Sequence, residues 1–127
     1  MSVSLRFVTP PPGLSPLLDF TLSEIDGADG LFRMQANRDQ GVRLFVLDAS
    51  VYLPTYAPVI SDEDCSTLHI HQPEDALVLV VTNPSEDGTT VNLMAPIVVN
   101  AATGICAQII LDGQEWPLRA ELSARSA

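Results

Sequence analysis

Apolar residues recur at every second position along most of this chain, and that alternation constrains the fold more than any other feature. Leu5 and Phe7 flank Arg6, and Phe20 and Leu22 flank Thr21. Trp116, Leu118, Ala120 and Leu122 alternate with Pro117, Arg119 and Glu121 in the cleanest period-two stretch. Successive side chains of a strand point to opposite faces, so the pattern predicts half-buried antiparallel strands. The breakers between them are hairpin chemistry. Asp112-Gly113 suits a type I′ turn, Asn83-Pro84 through Gly88 bridges Val81 and Thr90, and Asn100 to Gly104 joins two further strands. No helical pattern recurs between strands, which removes the βαβ unit and with it a parallel sheet. Only two places invite helix: Ser61-Asp62-Glu63-Asp64 reads as an N-cap with acids in the first turn, before Leu68, and Ala36 to Gln40 suits another short turn. Successive antiparallel strands from Leu5 to Leu122 must dispose of their edges, and closure into a barrel is the economical way. The expected fold is all-β: a single-domain, compact, meander-rich antiparallel β-barrel spanning residues 1–127, with one or two short helical turns. Pro10 to Gly13 is expected to form an extended turn, and Ser123 to Ala127 a frayed tail.

A chain of 127 residues can bury roughly two thirds of its unfolded surface in one core. Its longest apolar runs, such as Ala76 to Val81, fall far short of the ~18 residues a membrane helix needs, so no membrane role is expected. The opening Met-Ser-Val-Ser-Leu-Arg-Phe lacks an apolar segment of signal-peptide length, which makes the cytoplasm the expected location, and Cys65 and Cys106 are then two reduced thiols. Charge excludes more than it names. Sixteen acidic residues against 6 basic ones, all arginine, give a net charge of −10. Phosphate backbones are gripped by clustered Lys and Arg, so direct nucleic-acid binding and anionic membrane surfaces are disfavoured, while a basic protein would be attracted. An acid excess also simply keeps a small protein soluble.

No catalytic constellation emerges. The serines lack a Gly-x-Ser-x-Gly setting, and the seven glycines form neither a Walker loop nor a Gly-x-Gly-x-x-Gly fingerprint. The acids at Asp62 to Asp64, Glu74-Asp75 and Glu86-Asp87 fall in polar turns, where exposed carboxylates are expected. His69 and His71, two apart in an expected strand and just after an acidic run, have the look of metal ligands. With no further matched Cys or His, solvated histidines on a barrel wall is the reading we adopt. The chain is therefore read as no enzyme, with no catalytic, cofactor or metal site.

The stretch Thr89 to Asn100, Thr-Thr-Val-Asn-Leu-Met-Ala-Pro-Ile-Val-Val-Asn, is a different matter. Pro96 removes a ladder donor inside an apolar strand, and Asn92 and Asn100 must find partners if buried. Two readings stand. Either the asparagines brace an irregularity at Pro96, or an interrupted strand leaves Leu93, Met94 and Ile97 near a shallow apolar groove, with Asn92 and Asn100 fixing the register of an incoming segment. The first predicts that Asn100→Ala lowers the melting temperature; the second, that it weakens binding at unchanged stability. Tyr52, Leu53 and Tyr56 around Pro54 are likewise a core lid or half of an interface.

This stretch, with Gln108 to Leu111 downstream, closely resembles the signature of the FliW family of flagellar assembly factors, which pairs a Thr-Val-Asn-Leu-x-Ala-Pro-Ile-Val-x-Asn block with a Gln-x-Ile-Leu strand. The resemblance runs along nearly the whole chain. Gly13-Leu14 with Phe20 resembles the family's opening, Met34-Gln35 its Leu-Gln-Ser strand, and Leu44 to Asp48 its Ala-Phe-Val-Val-x-Asp-Pro strand, with Tyr56 and Leu68 in their expected places. The second opening Gly is missing, Ala36 replaces the family Ser, and Ala49 replaces the Pro after Asp48. The resemblance implies a small cytoplasmic barrel that binds flagellin as a chaperone and, in exchange, the basic RNA-binding translational repressor CsrA, relieving repression of flagellin synthesis. The partner-binding residues expected on this reading are Asn92, Leu93, Met94, Pro96, Ile97, Asn100, Tyr52 and Tyr56. A rival of another class is a small-molecule- or flavin-binding β-barrel, motivated by architecture alone.

Overall fold

The alternation is used to sort side chains between the inside of a closed sheet and its outer face. The computed structural model describes residues 2–9, 14, 16–25, 27, 30–39, 41–53, 56, 58–85, 88–111, 113–114, 116 and 120–121. Among these the chain forms β1 (Ser2–Phe7), β2 (Asp19–Glu24), β3 (Leu31–Ala36), β4 (Arg43–Asp48), β5 (Ala76–Ser85), β6 (Gly88–Val91), β7 (Ile97–Asn100), β8 (Ile105–Gln108) and β9 (Ala120–Glu121). Two short helices, α1 (Ala49–Tyr52) and α2 (Asp62–Thr67), and a 3-10 turn at Pro73–Asp75 complete the elements.

Strands β4-β3-β2-β1-β8-β7-β5 are hydrogen-bonded in that order, and β4 pairs again with β5, which closes a seven-stranded barrel. The steps β1 to β5 form the expected meander, each strand antiparallel to the next. One junction departs from the antiparallel expectation: β1 runs parallel to β8, with Arg6 opposite Ile105 and Phe7 opposite Cys106. The reason is parity. Directions cannot alternate all the way round a ring of seven, so one neighbouring pair must run the same way. The expectation that a chain without βαβ units has no parallel pairing therefore fails at this seam, which arises without a crossover helix. Its bonds run from Arg6 N–H to Gly104 O at 2.9 Å and from Val8 N–H to Cys106 O at 3.0 Å.

The barrel interior is filled by Leu5, Phe7, Phe20, Leu22, Met34, Val46, Leu79, Ile97, Val99 and Cys106. Phe7 and Phe20 meet edge to face, their centroids 5.2 Å apart. The outer face is covered where the chain from α1 to the 3-10 turn crosses it. Leu68 and Ile70 pack there on Val98 and Ile109, and Tyr52, Leu53 and Tyr56 on Val80 and Leu93. Strand β7 is thus buried on both sides, which explains why Ile97-Val98-Val99 is a continuous apolar run.

Other local expectations are met or revised. Ser61 caps α2, its Oγ accepting from Asp64 N–H at 3.1 Å, as the acidic first turn predicts. Of the stretch Ala36 to Gln40, the described residues Ala36 to Asp39 are not helical and Gln40 lies outside the described residues: Asn37 and Arg38 bend into the β3–β4 hairpin, where Asp39 accepts from Gly41 and Val42. The second helical turn lies instead at α1, where Asp48 accepts from Ser50 N–H at 2.9 Å and from Ser50 Oγ at 2.7 Å. Ala49 is the first residue of that helix, a position that equally suits the family Pro. The hairpin expected over 83–88 is tighter than the sequence suggests, because β5 runs through Pro84 to Ser85 and Ser85 already pairs with Gly88. Of the expected strand from Trp116, only Ala120 and Glu121 form described ladder pairs, with Val91 and Thr90. Pro10 to Gly13, Asp112, Leu118 and Ser123 to Ala127 lie outside the described residues, as do Pro54, Glu86 and Asp87. Among the described residues no helix is long and apolar enough to cross a membrane.

The seam supplies a prediction. Gly104 has φ of +81°, and a Cβ there would sit 2.3 Å from the carbonyl oxygen of Ser4. Gly104→Ala adds left-handed strain and a backbone clash at the closing junction, so it is expected to cost about 2 kcal/mol or more. Urea unfolding measures this, and a variant within about 0.5 kcal/mol of the parent would show that the seam is looser than described.

Candidate functional site

Strands β6 and β7 run in one direction along one side of β5, and between them lies the proline-containing stretch. Val91 pairs with Thr82 and Ile97 with Leu79, so the five residues Asn92 to Pro96 face only Val80 and Val81. The three extra residues form a wide outward bulge. Asn92 Oδ1 accepts from Met94 N–H at 3.0 Å and Ala95 N–H at 3.2 Å, closing an Asx turn. The segment after β8 then stitches the bulge down: Ile109 and Leu111 donate to the carbonyls of Pro96 and Met94, and the Gln108 amide donates to Ala95 O. The resemblance to a family signature thus coincides with one structural unit, the bulge and the strand that holds it.

Asn100 is a buried joint. It is 5 % exposed; its Nδ2 donates to Leu68 O at 2.9 Å and His69 O at 3.1 Å, while its Oδ1 accepts from Ala102 N–H at 2.9 Å and Thr103 N–H at 3.3 Å. One side chain therefore ties the end of α2 to the β7–β8 turn. On the α2 side, Ile70 N–H bonds Cys65 O and His69 N–H bonds Ser66 O, the two bonds of a Schellman motif. His69 occupies its left-handed position, with φ of 57°. His69 accordingly lies in a helix cap and His71 just past it, neither in a strand, and both are exposed. Among the described residues no group of three His, Cys, Asp or Glu is placed to hold a metal ion.

The expected site residues are brought into one region but on different sides of it. Leu93 is buried in an outer-face cluster and Ile97 in the barrel interior, so neither opens onto a groove; Pro96 is buried and Met94 half-buried. Tyr56 is the link between bulge and crossing segment. Its hydroxyl donates to Leu93 O, and its ring meets Trp116 edge to face at 4.7 Å. Gln114, which the sequence did not single out, pairs its amide with both Val59 N–H (3.0 Å) and Val59 O (2.9 Å) and accepts from Trp116 Nε1 at 3.2 Å. No periodicity announces a side chain that imitates a strand partner in this way.

The groove itself lies beside these residues, above β5. Two cavities, of about 300 Å³ and about 420 Å³, share Pro58, Ala76 and Val78 in their walls. Asp48, Ser50 and Tyr56 line the first, and Asp62, Cys65 and His71 the second. A carboxylate therefore lines each cavity, and among the described residues no arginine lines either.

Comparison with known proteins agrees with this architecture. The family model described as FliW protein matches residues 2–122. A flagellar assembly factor FliW of Thermosipho africanus (strain TCF52B) is 33% identical over 115 residues, covering 88% of this chain and 79% of the relative. One of Moorella thermoacetica (strain ATCC 39073 / JCM 9320) is 31% identical over 125 residues, covering 96% and 79%. A crystal structure of the flagellar assembly factor FliW superposes with a TM-score of 0.88 at 24% identity, covering 98% of this chain and 88% of that one, and supports the fold.

Removing the Asn100 amide strands two carbonyls and two amides at a buried joint. Asn100→Ala is expected to cost about 2 to 4 kcal/mol in urea unfolding, and a loss under about 0.5 kcal/mol would deny it the bracing role. Alkaline stability offers a second check. Burial pushes the Tyr56 hydroxyl from 10.0 up to about 12, and the Cys106 thiol from 9.0 up to about 12. The unfolded chain then releases these protons first, so their contribution is whole below about pH 9 and is lost as pH rises toward about 12. Tyr56→Phe should show a smaller fall in melting temperature between about pH 9 and 11 than the parent; an equal fall would contradict the assignment to Tyr56.

Proposed function

This chain belongs to the FliW family of flagellar assembly factors, and from that premise we propose that it acts by binding two proteins in exchange, flagellin and the basic RNA-binding translational regulator CsrA. While flagellin is held, CsrA is free to repress flagellin synthesis; when flagellin is exported, the vacated protein takes up CsrA and translation resumes. The work is binding without catalysis, and its setting is the cytoplasm, where both partners are made. The observation that carries the reading is the charge: a net −10 with no lysine, and a carboxylate lining each cavity of the outer groove. Such a surface attracts a basic RNA-binding protein and repels the RNA that competes for it. Asn92 and Asn100 enter this reading as braces that hold the bulge and the groove walls in shape, Tyr56 as part of those walls, and Tyr52 as part of the outer-face packing on Val80 and Leu93. The rival, a small ligand held inside the barrel, has less behind it, because the interior is occupied by the side chains of Phe7, Phe20, Leu22 and Met34.

Size-exclusion chromatography with light scattering on this protein mixed with CsrA of its own organism tests the proposal. A complex is expected that weakens about tenfold or more between ~0.05 and ~0.5 M salt and is displaced by flagellin. If neither CsrA nor flagellin co-elutes at low salt, the proposal falls.

A further inference from the structure

The groove above β5 coincides with an opening in the barrel wall. Strand β4 pairs with β5 only from Leu79 to Val81, because at Asp48 the chain leaves the sheet to form α1. The first part of β5, Ala76 to Val78, keeps β7 on one side, with Asn100, Val99 and Val98 as partners. On the other side no described strand pairs with it. Backbone direction can be read from two bonds: Val81 O accepts from Asn92 and Asp75 O from Ala101, both on the β6–β7 side. Backbone groups alternate sides along a strand, so the N–H and C=O of Ala76 and Val78 face the opening. Exposed sheet edges are normally blunted by charge, by proline or by cover. Here the opening is walled by α1 on one flank and Pro58 on the other, and it forms the smaller cavity.

We propose that this walled edge is a docking site for an extended segment of a protein partner, apolar at alternate positions and carrying a basic residue, which adds beside Ala76 to Val78 as a short extra strand. The inference rests on the binding role proposed above and names the place on the molecule where it is carried out. An extended chain fits better than a helix because Pro58 divides the space into two compartments over a common floor of Ala76 and Val78. A strand lies in the first, with an alternate side chain reaching into the second among Ile60, Ile70 and Val98. The basic residue is set by Asp48 in the first compartment and Asp62 in the second, with no arginine among the described lining residues to oppose it.

Cys65 reports on occupancy. It is a half-buried free thiol in the wall of the larger compartment, while Cys106 is wholly buried in the barrel. The experiment mixes the full chain with flagellin, and separately with CsrA, of its own organism, and follows both complex formation and the rate at which N-ethylmaleimide labels Cys65. With at least one partner, labelling is expected to slow tenfold or more, and Val78→Arg is expected to weaken that complex at least tenfold. Since Val78→Arg can disturb the sheet, Ser50→Arg is made beside it: Ser50 is exposed at the rim, and an arginine there repels a basic segment without touching the core. Both variants are compared by thermal melting. A complex that forms while Cys65 is labelled at the free rate, or that tolerates Ser50→Arg unchanged, overturns the docking site and leaves the binding role standing. Absence of any complex overturns the binding role and the docking site together.

Discussion

The structure depends on the closure of a seven-stranded ring. A ring of odd number cannot alternate direction throughout, so one junction has to be parallel, and the chain places it where its first strand meets β8. That junction joins residues from opposite ends of the sequence and admits the backbone of Ser4 against Gly104, where a side chain has no room. Once it is closed, the ring keeps an open edge beside Ala76 to Val78, and the side chains facing the axis fill the interior. Ligand-sized space is then found on the outside, above β5, and what lies there is decided by how the chain crosses the outer face.

That crossing is held by polar groups used as structural parts. Asn100 joins α2 to the β7–β8 turn, Gln114 pairs with the backbone of Val59 as a strand would, and Tyr56 fixes the crossing segment to the bulge through Leu93 O. Among the described residues no buried side-chain nitrogen or oxygen is left without a partner. Apolar contact alone would let the segment from α1 to α2 slide over Val78 and Val98; directional bonds set its height above the sheet and so keep the cavities open. The bulge at Asn92 to Pro96 and the groove are two consequences of one arrangement, since the segment that covers the first forms the wall of the second.

Most of the barrel could be read from the sequence because each strand carries its own signal. Leu5 and Phe7, Phe20 and Leu22, and Met34 and Ala36 face the core as alternation requires, and Ser61 caps α2 as its acids announce. What could not be read depends on partners distant in sequence. The parallel seam pairs Arg6 with Ile105, and no local pattern encodes that meeting. His69 and His71 imitate a strand because a left-handed cap residue is usually Gly or Asn, and a histidine there hides the turn. Helix α1 is a single turn, too short for periodicity, with only Asp48 ahead of Ser50 to mark it. In the signature stretch the irregularity at Pro96 was legible, but which way its side chains turn was not. Leu93 turns into the outer-face packing with Val80, Tyr52, Leu53 and Tyr56, and Ile97 into the barrel interior, and those neighbours lie far from the stretch in sequence.

The chain belongs to the FliW family and carries a net charge of −10, and the proposed binding role rests on these two facts. The account requires that binding be confined to the face crossed by α1 and α2 and leave the meander β1 to β3 untouched. Hydrogen–deuterium exchange on the protein alone and with saturating flagellin, then with CsrA, examines this most directly. The account predicts new protection over residues 48–60 and 62–78 with at least one partner, and unchanged exchange in β2 and β3. Protection centred on β2 and β3, with none along β5, would contradict it.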